Sequence, residues 1–334
     1  MKIKKYIDYL EHCYGISNEL DLKLIFSLHQ TSNQDHQEPY TLPPRKSKKI
    51  ILCGVCNLGQ EEIIEITNIF QSKINYFLVD LEKKGIVGTS KAKTGLITGN
   101  LEGRLAEIVP KDKILGIRYD SLTAEHLINL IVKNDPFIYK SKIGLIGLGK
   151  IGFKIAISLL ECGNNIEVFA RDYDLLYRKC ACMDLIKPNS TLARPIPHRK
   201  IESCLNEKDI IITATNSKNV IEEKYLPLIK NNSTIYSVGH GEISNKVLKF
   251  LEERNTKICR VDIGLSIINY LERLVLVEEI NPKLKIINGK RFVSGGYLGI
   301  SGDIVVDDVD SPNFIYGYIS EEGGFVREMK KFNV

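Results

Sequence analysis

Short apolar runs alternate along this chain with longer stretches in which apolar residues recur every three or four positions. That alternation predicts strands interleaved with helices. Lys49–Cys53 predicts a strand, Gln60–Phe70 a helix, Ile74–Asp80 a strand, Lys113–Arg118 a strand and Ser121–Val132 a helix capped by Ser121 or Asp120. Ahead of these, Tyr6, Tyr9 and Leu10, then Leu20, Leu24, Ile25 and Leu28, read as short helical patterns. The polar stretch 31–38 with Pro39, Pro43 and Pro44 breaks the pattern, and the basic run Arg45–Lys49 reads as a solvated linker.

The second half is patterned more sharply. Ile143, Leu145 and Ile146 suit a buried parallel strand, and Ile155, Ala156, Leu159 and Leu160 recur at helical spacing within a helix expected over Phe153–Glu161. Cys162–Asn165 ends that helix, and Ile166–Ala170 reads as the next strand. Further strands are expected within Asp209–Asn216 and Asn232–Gly241. Leu284–Val293 carries Asn288-Gly289 between two alternating runs, a hairpin signal.

Between the first strand and helix of this half stands Gly147-Leu148-Gly149-Lys150-Ile151-Gly152. This is a dinucleotide-binding fingerprint: the first glycine permits the tight turn, the second admits backbone N–H groups to a pyrophosphate, and the third lets helix and sheet pack closely. The helix N-terminus then aims its dipole and unpaired N–H groups at the phosphates. The expected fold is α/β, with two Rossmann-like domains, the second a doubly wound parallel sheet binding a dinucleotide. Residues 1–138 would form an N-terminal α/β substrate or catalytic domain with a helical segment at 1–45. Residues 139–303 would be the NAD(P)-binding domain and 304–334 a C-terminal segment. Gly54–Gly59 lacks a middle glycine, Cys56 standing there instead, and reads as a strand-to-helix turn.

An acidic residue about 20 positions on normally holds the ribose 2′-hydroxyl of NAD. Here Ala170-Arg171-Asp172 occupies that place, with Arg171 19 residues after Gly152. A guanidinium there suits a 2′-phosphate, which favours NADP. If the strand ends one residue later, the Asp172 carboxylate would face the ribose and NAD would be preferred. Thr213-Ala-Thr215-Asn216 and Gly239-His240-Gly241 end later strands in small polar residues, where backbone groups can approach the nicotinamide ribose. Thr215, Asn216, Gly239 and His240 are therefore further cofactor candidates, and His240 is the candidate general acid/base. Lys91, Lys93 and Arg104 are candidate anion clamps.

The later half resembles the cofactor domain of S-adenosylhomocysteine hydrolase and, more broadly, the nucleotide domain shared with D-2-hydroxyacid dehydrogenases. The resemblance covers roughly 139–303. It rests on Gly147–Gly152, Asp209–Ile221, Ser237–His240, Leu284–Val293 and Gly295–Gly299. It implies that Thr215, Asn216 and the Gly239-His240 pair lie against the nicotinamide half, with His240 contacting the carboxamide or the substrate oxygen. Ser294 stands in place of the family's asparagine, Ala170-Arg171 in place of its acidic ribose partner, and the C-terminal tail lacks the family's lysine and tyrosine. No adenosine-binding motif of that hydrolase is found in residues 1–138.

At 334 residues, with 43% apolar and 26% charged positions, the chain has the composition of a globular protein of two ordinary domains. A net charge of +5 spread over many lysines does not argue for nucleic acid, and no apolar run reaches membrane-spanning length. Eight cysteines without a secretory leader point to a reduced, cytoplasmic setting. Cys53 and Cys56 have CxxC spacing but read as buried strand thiols, and Cys180, Cys182, His198 and Cys204 match no closed zinc site. No metal is expected. A small-molecule substrate and a homodimer are. The function expected is an NADP-dependent oxidoreductase passing hydride between nicotinamide and a carbonyl, imine or conjugated double bond of a small metabolite. The alternatives are a hydrolase or lyase with tightly bound NAD, and a non-catalytic NADP-binding protein.

Overall fold

The computed structural model describes residues 3–29, 39–56, 58–82, 103, 105–239, 241–277 and 283–332. The chain divides into two compact units, Met1–Asn269 and Tyr270–Val334.

The first unit opens with helix α1 (Lys4–Glu19) and holds two sheets. Strands β1 (Lys23–His29), β2 (Tyr40–Lys46), β3 (Ile50–Cys56), β4 (Tyr76–Asp80) and β5 (Ile114–Ile117) form the first, in the order β2-β3-β1-β4-β5. All pairs are parallel except β2 with β3. Helix α2 (Gln60–Phe70) follows β3, and α3 (Tyr119–Asn134) follows β5. The order reverses between β1 and β4, which makes their carboxyl ends the place where an open sheet binds ligands.

Three features of this half differ from expectation. Leu24, Ile25 and Leu28 lie on β1, a central strand, and not on a helix. A strand buried on both faces is apolar almost throughout, so its spacing imitates a helix turn. Residues 40–46 are the edge strand β2 and not a linker, with the register shifting between Leu42 and Arg45 around Pro43 and Pro44. Proline, which lacks an N–H, is tolerated at such an edge. Arg45 pairs with Asp262 at 3.2 Å. Finally, α3 begins two residues before Ser121, and neither Ser121 nor Asp120 caps it.

The second sheet is built of β6 (Ile143–Ile146), β7 (Ile166–Phe169), β8 (Pro195–His198), β9 (Ile210–Thr213), β10 (Thr234–Ser237) and β11 (Lys257–Arg260), in the order β11-β10-β9-β6-β7-β8. Every pair is parallel. This is the doubly wound order of a dinucleotide-binding domain, with its switch point between β6 and β9. Helices α4 (Lys150–Glu161), α5 (Tyr173–Ile186) and α6 (Asn245–Glu253) cover it, and α7 (Gly264–Val277) follows β11. Leu127 and Ile131 of α3 are buried in one core with Ile155 and Leu159 of α4 and Leu145 of β6. Thus α3, which leaves the first sheet, is packed into the second.

In the second unit β12 (Leu284–Ile287), β13 (Lys290–Ser294), β14 (Ile304–Val306), β15 (Phe314–Ile319) and β16 (Phe325–Lys331) make a sheet in chain order. The expected hairpin is present, turning on Asn288 (φ 50°) and Gly289 (φ 76°). Both residues take the positive φ that a two-residue hairpin turn needs. Residues 304–331 are paired with it in the same sheet.

Candidate functional site

The glycine turn leaves β6 at Gly147 and enters α4 at Lys150, three residues earlier than the apolar spacing implied. Gly147 sits at φ 100°, a backbone region that L side chains rarely adopt. A Cβ there would stand 2.5 Å from the Ala214 carbonyl oxygen. Gly152 lies in the first turn of α4, where a Cβ would fall 2.2 Å from the Gly147 oxygen. Gly149, the helix N-cap, has nothing within 4 Å of its Cβ position. The outer two glycines therefore answer to packing, whereas the middle one faces open space where a phosphate would approach the N-terminus of α4. Leu148 is buried, and its carbonyl oxygen accepts from Lys179 Nζ at 2.6 Å. Lys150 is exposed beside the turn and Ile151 half-buried under it. This arrangement fits a dinucleotide pyrophosphate.

At the end of β7 the strand stops at Phe169. Arg171 is exposed, and Asp172 is the N-cap of α5, its Oδ1 accepting the Leu175 N–H at 2.9 Å. β8 runs beside β7 with His198 opposite Phe169, so Arg199 leaves the neighbouring strand at the same level as Ala170. The Arg199 guanidinium lies 3.8 Å above the Tyr173 ring, a cation–π contact. Two guanidinium groups thus stand at adjacent strand ends. Arg199 escaped the sequence reading because its position is defined by strand pairing and not by distance from the glycine motif.

A cleft of about 480 Å³ opens beside the glycine turn, lined by Glu82, Asp120, Gly149, Lys150, Phe153, Lys154 and Lys179. Glu82 follows β4 and Asp120 follows β5, both at the carboxyl edge of the first sheet. Glu82 Oε2 accepts the Asp120 N–H, capping α3 from a distant segment, while Oε1 accepts from Ser121 Oγ at 3.3 Å and from the Lys154 ammonium. Lys154 also donates to Ser121 Oγ at 2.8 Å. Tyr119, one residue earlier, shares a 2.7 Å hydrogen bond with Ser27 Oγ of β1, and burial pushes its phenol well above the ordinary value. The first turn of α3 is thereby pinned to both neighbouring strands. The sequence carried no motif for this group, because its members come from three separate strand ends.

On the other side of the turn, Thr215 and Gly239 are held together by Glu242, which is 1% exposed. Its Oε1 accepts the Thr215 N–H at 2.7 Å. Its Oε2 accepts Thr213 Oγ1 at 2.7 Å, Ser237 Oγ at 2.7 Å and the Gly239 N–H at 2.8 Å. Asn216 is exposed at the rim. His240, Lys91, Lys93 and Arg104 lie outside the described residues. Cys53 and Cys56 are both buried on β3, and three positions apart on a strand they point to opposite faces. Among the described residues no helix is long and apolar enough to cross a membrane.

Residues 130–227 match the family model of shikimate / quinate 5-dehydrogenase. The match spans the glycine turn, the Arg171 strand end and Thr215, and it bears out an NAD(P)-binding domain of the dehydrogenase kind over this segment. No curated protein matches the sequence. Similar solved structures include a dipicolinate synthase from Bacillus halodurans, 20% identical over 65% of this chain and 70% of that one, with a TM-score of 0.36. A shikimate dehydrogenase in complex with NADP+ is 14% identical over 77% of this chain and 90% of that one, with a TM-score of 0.43. L-tryptophan dehydrogenase from Nostoc punctiforme is 11% identical over 75% of each chain, with a TM-score of 0.45.

Proposed function

We propose that this chain is an NADP-dependent oxidoreductase that passes hydride between nicotinamide and a carbonyl, imine or conjugated double bond of a small metabolite held in the Glu82–Lys154 cleft. The observation that carries the reading is the open space over Gly149, at the mouth of a cleft lined from both sheets. When bound, the nicotinamide supplies the hydride. The chain's own residues do the rest. Gly149 and the first N–H groups of α4 bind the pyrophosphate, and Lys150 adds a positive charge beside it.

Arg171 and Arg199 take the 2′-phosphate between two guanidinium forks, a geometry that suits a phosphate dianion. Asp172 contributes one carboxylate oxygen to capping α5, which supports NADP over NAD. In the cleft, Lys154 and Asp120 orient the oxygen or nitrogen of the substrate, with Glu82 fixing both. His240, directly after Gly239 in sequence, exchanges the proton.

The test is calorimetric titration of NADP(H) against NAD(H) on the wild type and on Arg171→Ala. Tighter NADPH binding that the substitution abolishes supports the proposal. Preference for NAD irrespective of Arg171, above all with cofactor retained through purification, favours the bound-NAD hydrolase or lyase. Binding without turnover of any carbonyl or imine substrate favours a non-catalytic binding protein.

A further inference from the structure

We infer that Glu242 is a positioning residue that sets the nicotinamide half of the dinucleotide site, an inference that rests on the proposed function. Burying a carboxylate is costly unless donors surround it, and Glu242 has four of them. They come in pairs from two parallel neighbours. The Thr213 hydroxyl and Thr215 N–H belong to the end of β9, and the Ser237 hydroxyl and Gly239 N–H to the end of β10. Thr213 and Ser237 are opposite one another in register. One carboxylate thus ties together the two strand ends that face the nicotinamide side of the switch point.

The clamp is itself held rigidly. The Glu242 carbonyl accepts the Val220 N–H at 2.6 Å, and the neighbouring Gly241 carbonyl accepts the Asn219 N–H at 2.8 Å. A Cβ on Gly239 would stand 2.4 Å from the Thr215 oxygen and 2.8 Å from Glu242 Cδ, so the two loops are in contact around the carboxylate. The four donors to Glu242 all come from β9, β10 and the residues just after them, and none comes from the N-terminus of α4 that faces the phosphates. Glu242 therefore governs one half of the site and leaves the other alone.

The chemistry makes the clamp specific for a carboxylate. Each carboxylate oxygen accepts one backbone N–H, Oε1 that of Thr215 and Oε2 that of Gly239. In Glu242→Gln, whichever oxygen becomes NH2 is turned against a backbone N–H, and backbone donors cannot reverse as hydroxyls can. The loops must then separate.

The experiment is calorimetric titration of wild type and Glu242→Gln with NADP(H), NAD(H), and the fragments 2′-phospho-ADP-ribose and ADP-ribose, which lack nicotinamide. The expected result is a loss of tenfold or more in dinucleotide affinity with fragment affinity unchanged within twofold. A purely structural role would weaken fragment and dinucleotide in parallel, and that outcome, or no change in either, overturns the inference. Ser237→Ala and Thr213→Val remove one hydroxyl each and carry the same test if Glu242→Gln does not fold, with losses of about threefold confined to the dinucleotides. A wild type that binds neither dinucleotide nor fragment overturns the dinucleotide reading and this one with it. Binding with parallel losses overturns this one alone.

Discussion

The Glu82 carboxylate, set just beyond the end of β4, meets the Lys154 ammonium in α4, 72 residues further along the chain. The same carboxylate accepts the Asp120 N–H at the start of α3. A residue of the first sheet's edge thereby caps one helix and pairs with another that carries the glycine turn. Glu82 is largely buried, so the pair works in a less screened setting than an exposed ion pair would. Glu82→Ala should destabilise the fold by about 1–3 kcal/mol, and a double-mutant cycle with Lys154→Ala should return a coupling of about 0.5–3 kcal/mol. Urea unfolding of the four proteins measures it, and additive losses would contradict the link.

The glycines separate packing from ligand approach. Gly152→Ala should destabilise the protein by about 1–3 kcal/mol, because its Cβ meets the Gly147 oxygen and a well-packed turn cannot yield cheaply. Gly149→Ala should leave the melting temperature within about 2 °C of wild type, since φ −75° and open space accept a methyl group. That methyl would occupy phosphate space, so dinucleotide affinity should fall about tenfold or more, near 1.4 kcal/mol. Equal effects at both positions would refute this division.

Arg199→Ala should weaken NADPH binding by about tenfold while leaving NADH binding unchanged, the worth of a charge-assisted hydrogen bond to phosphate. Asp172→Ala should cost about 0.5–2 kcal/mol of stability through loss of the α5 cap, with the ratio of NADPH to NADH affinity unaltered. Fluorescence titration of both reduced nucleotides, alongside thermal melting, distinguishes the two residues.

In the second unit the Arg291 guanidinium donates to both oxygens of Asp303, Nε to Oδ1 at 2.6 Å and Nη2 to Oδ2 at 3.2 Å. The Arg291 hydrogen bond, joined by the Ile300 N–H, holds the Asp303 carboxyl below the ordinary carboxylate value. An unfolded Asp titrates near pH ~3.9. With the folded value depressed, the stabilisation is complete above that pH and is lost as pH falls through the folded value. Acid unfolding followed by circular dichroism should show Arg291→Gln losing part of this dependence, and an unchanged acid transition would contradict the assignment.

Local chemistry made much of the second half legible. Gly147, Gly149 and Gly152 announce their turn because only glycine meets its φ and close-approach demands, and Asn288-Gly289 announces a hairpin for the same reason. The spacing of Ile155, Ala156, Leu159 and Leu160 gave α4 its buried face, although the helix begins at Lys150, where polarity gives no boundary signal. Leu24–Leu28 misled because a strand buried on both faces has no polar face to alternate with. Tertiary structure alone decided which distant groups meet. Glu82 joins Lys154, Arg199 reaches the level of Ala170, and Glu242 gathers Thr213, Thr215, Ser237 and Gly239, because strand order and register place them side by side. A local pattern records the conformation its own residues require, whereas a buried carboxylate's partners are set by the packing of segments that the sequence separates.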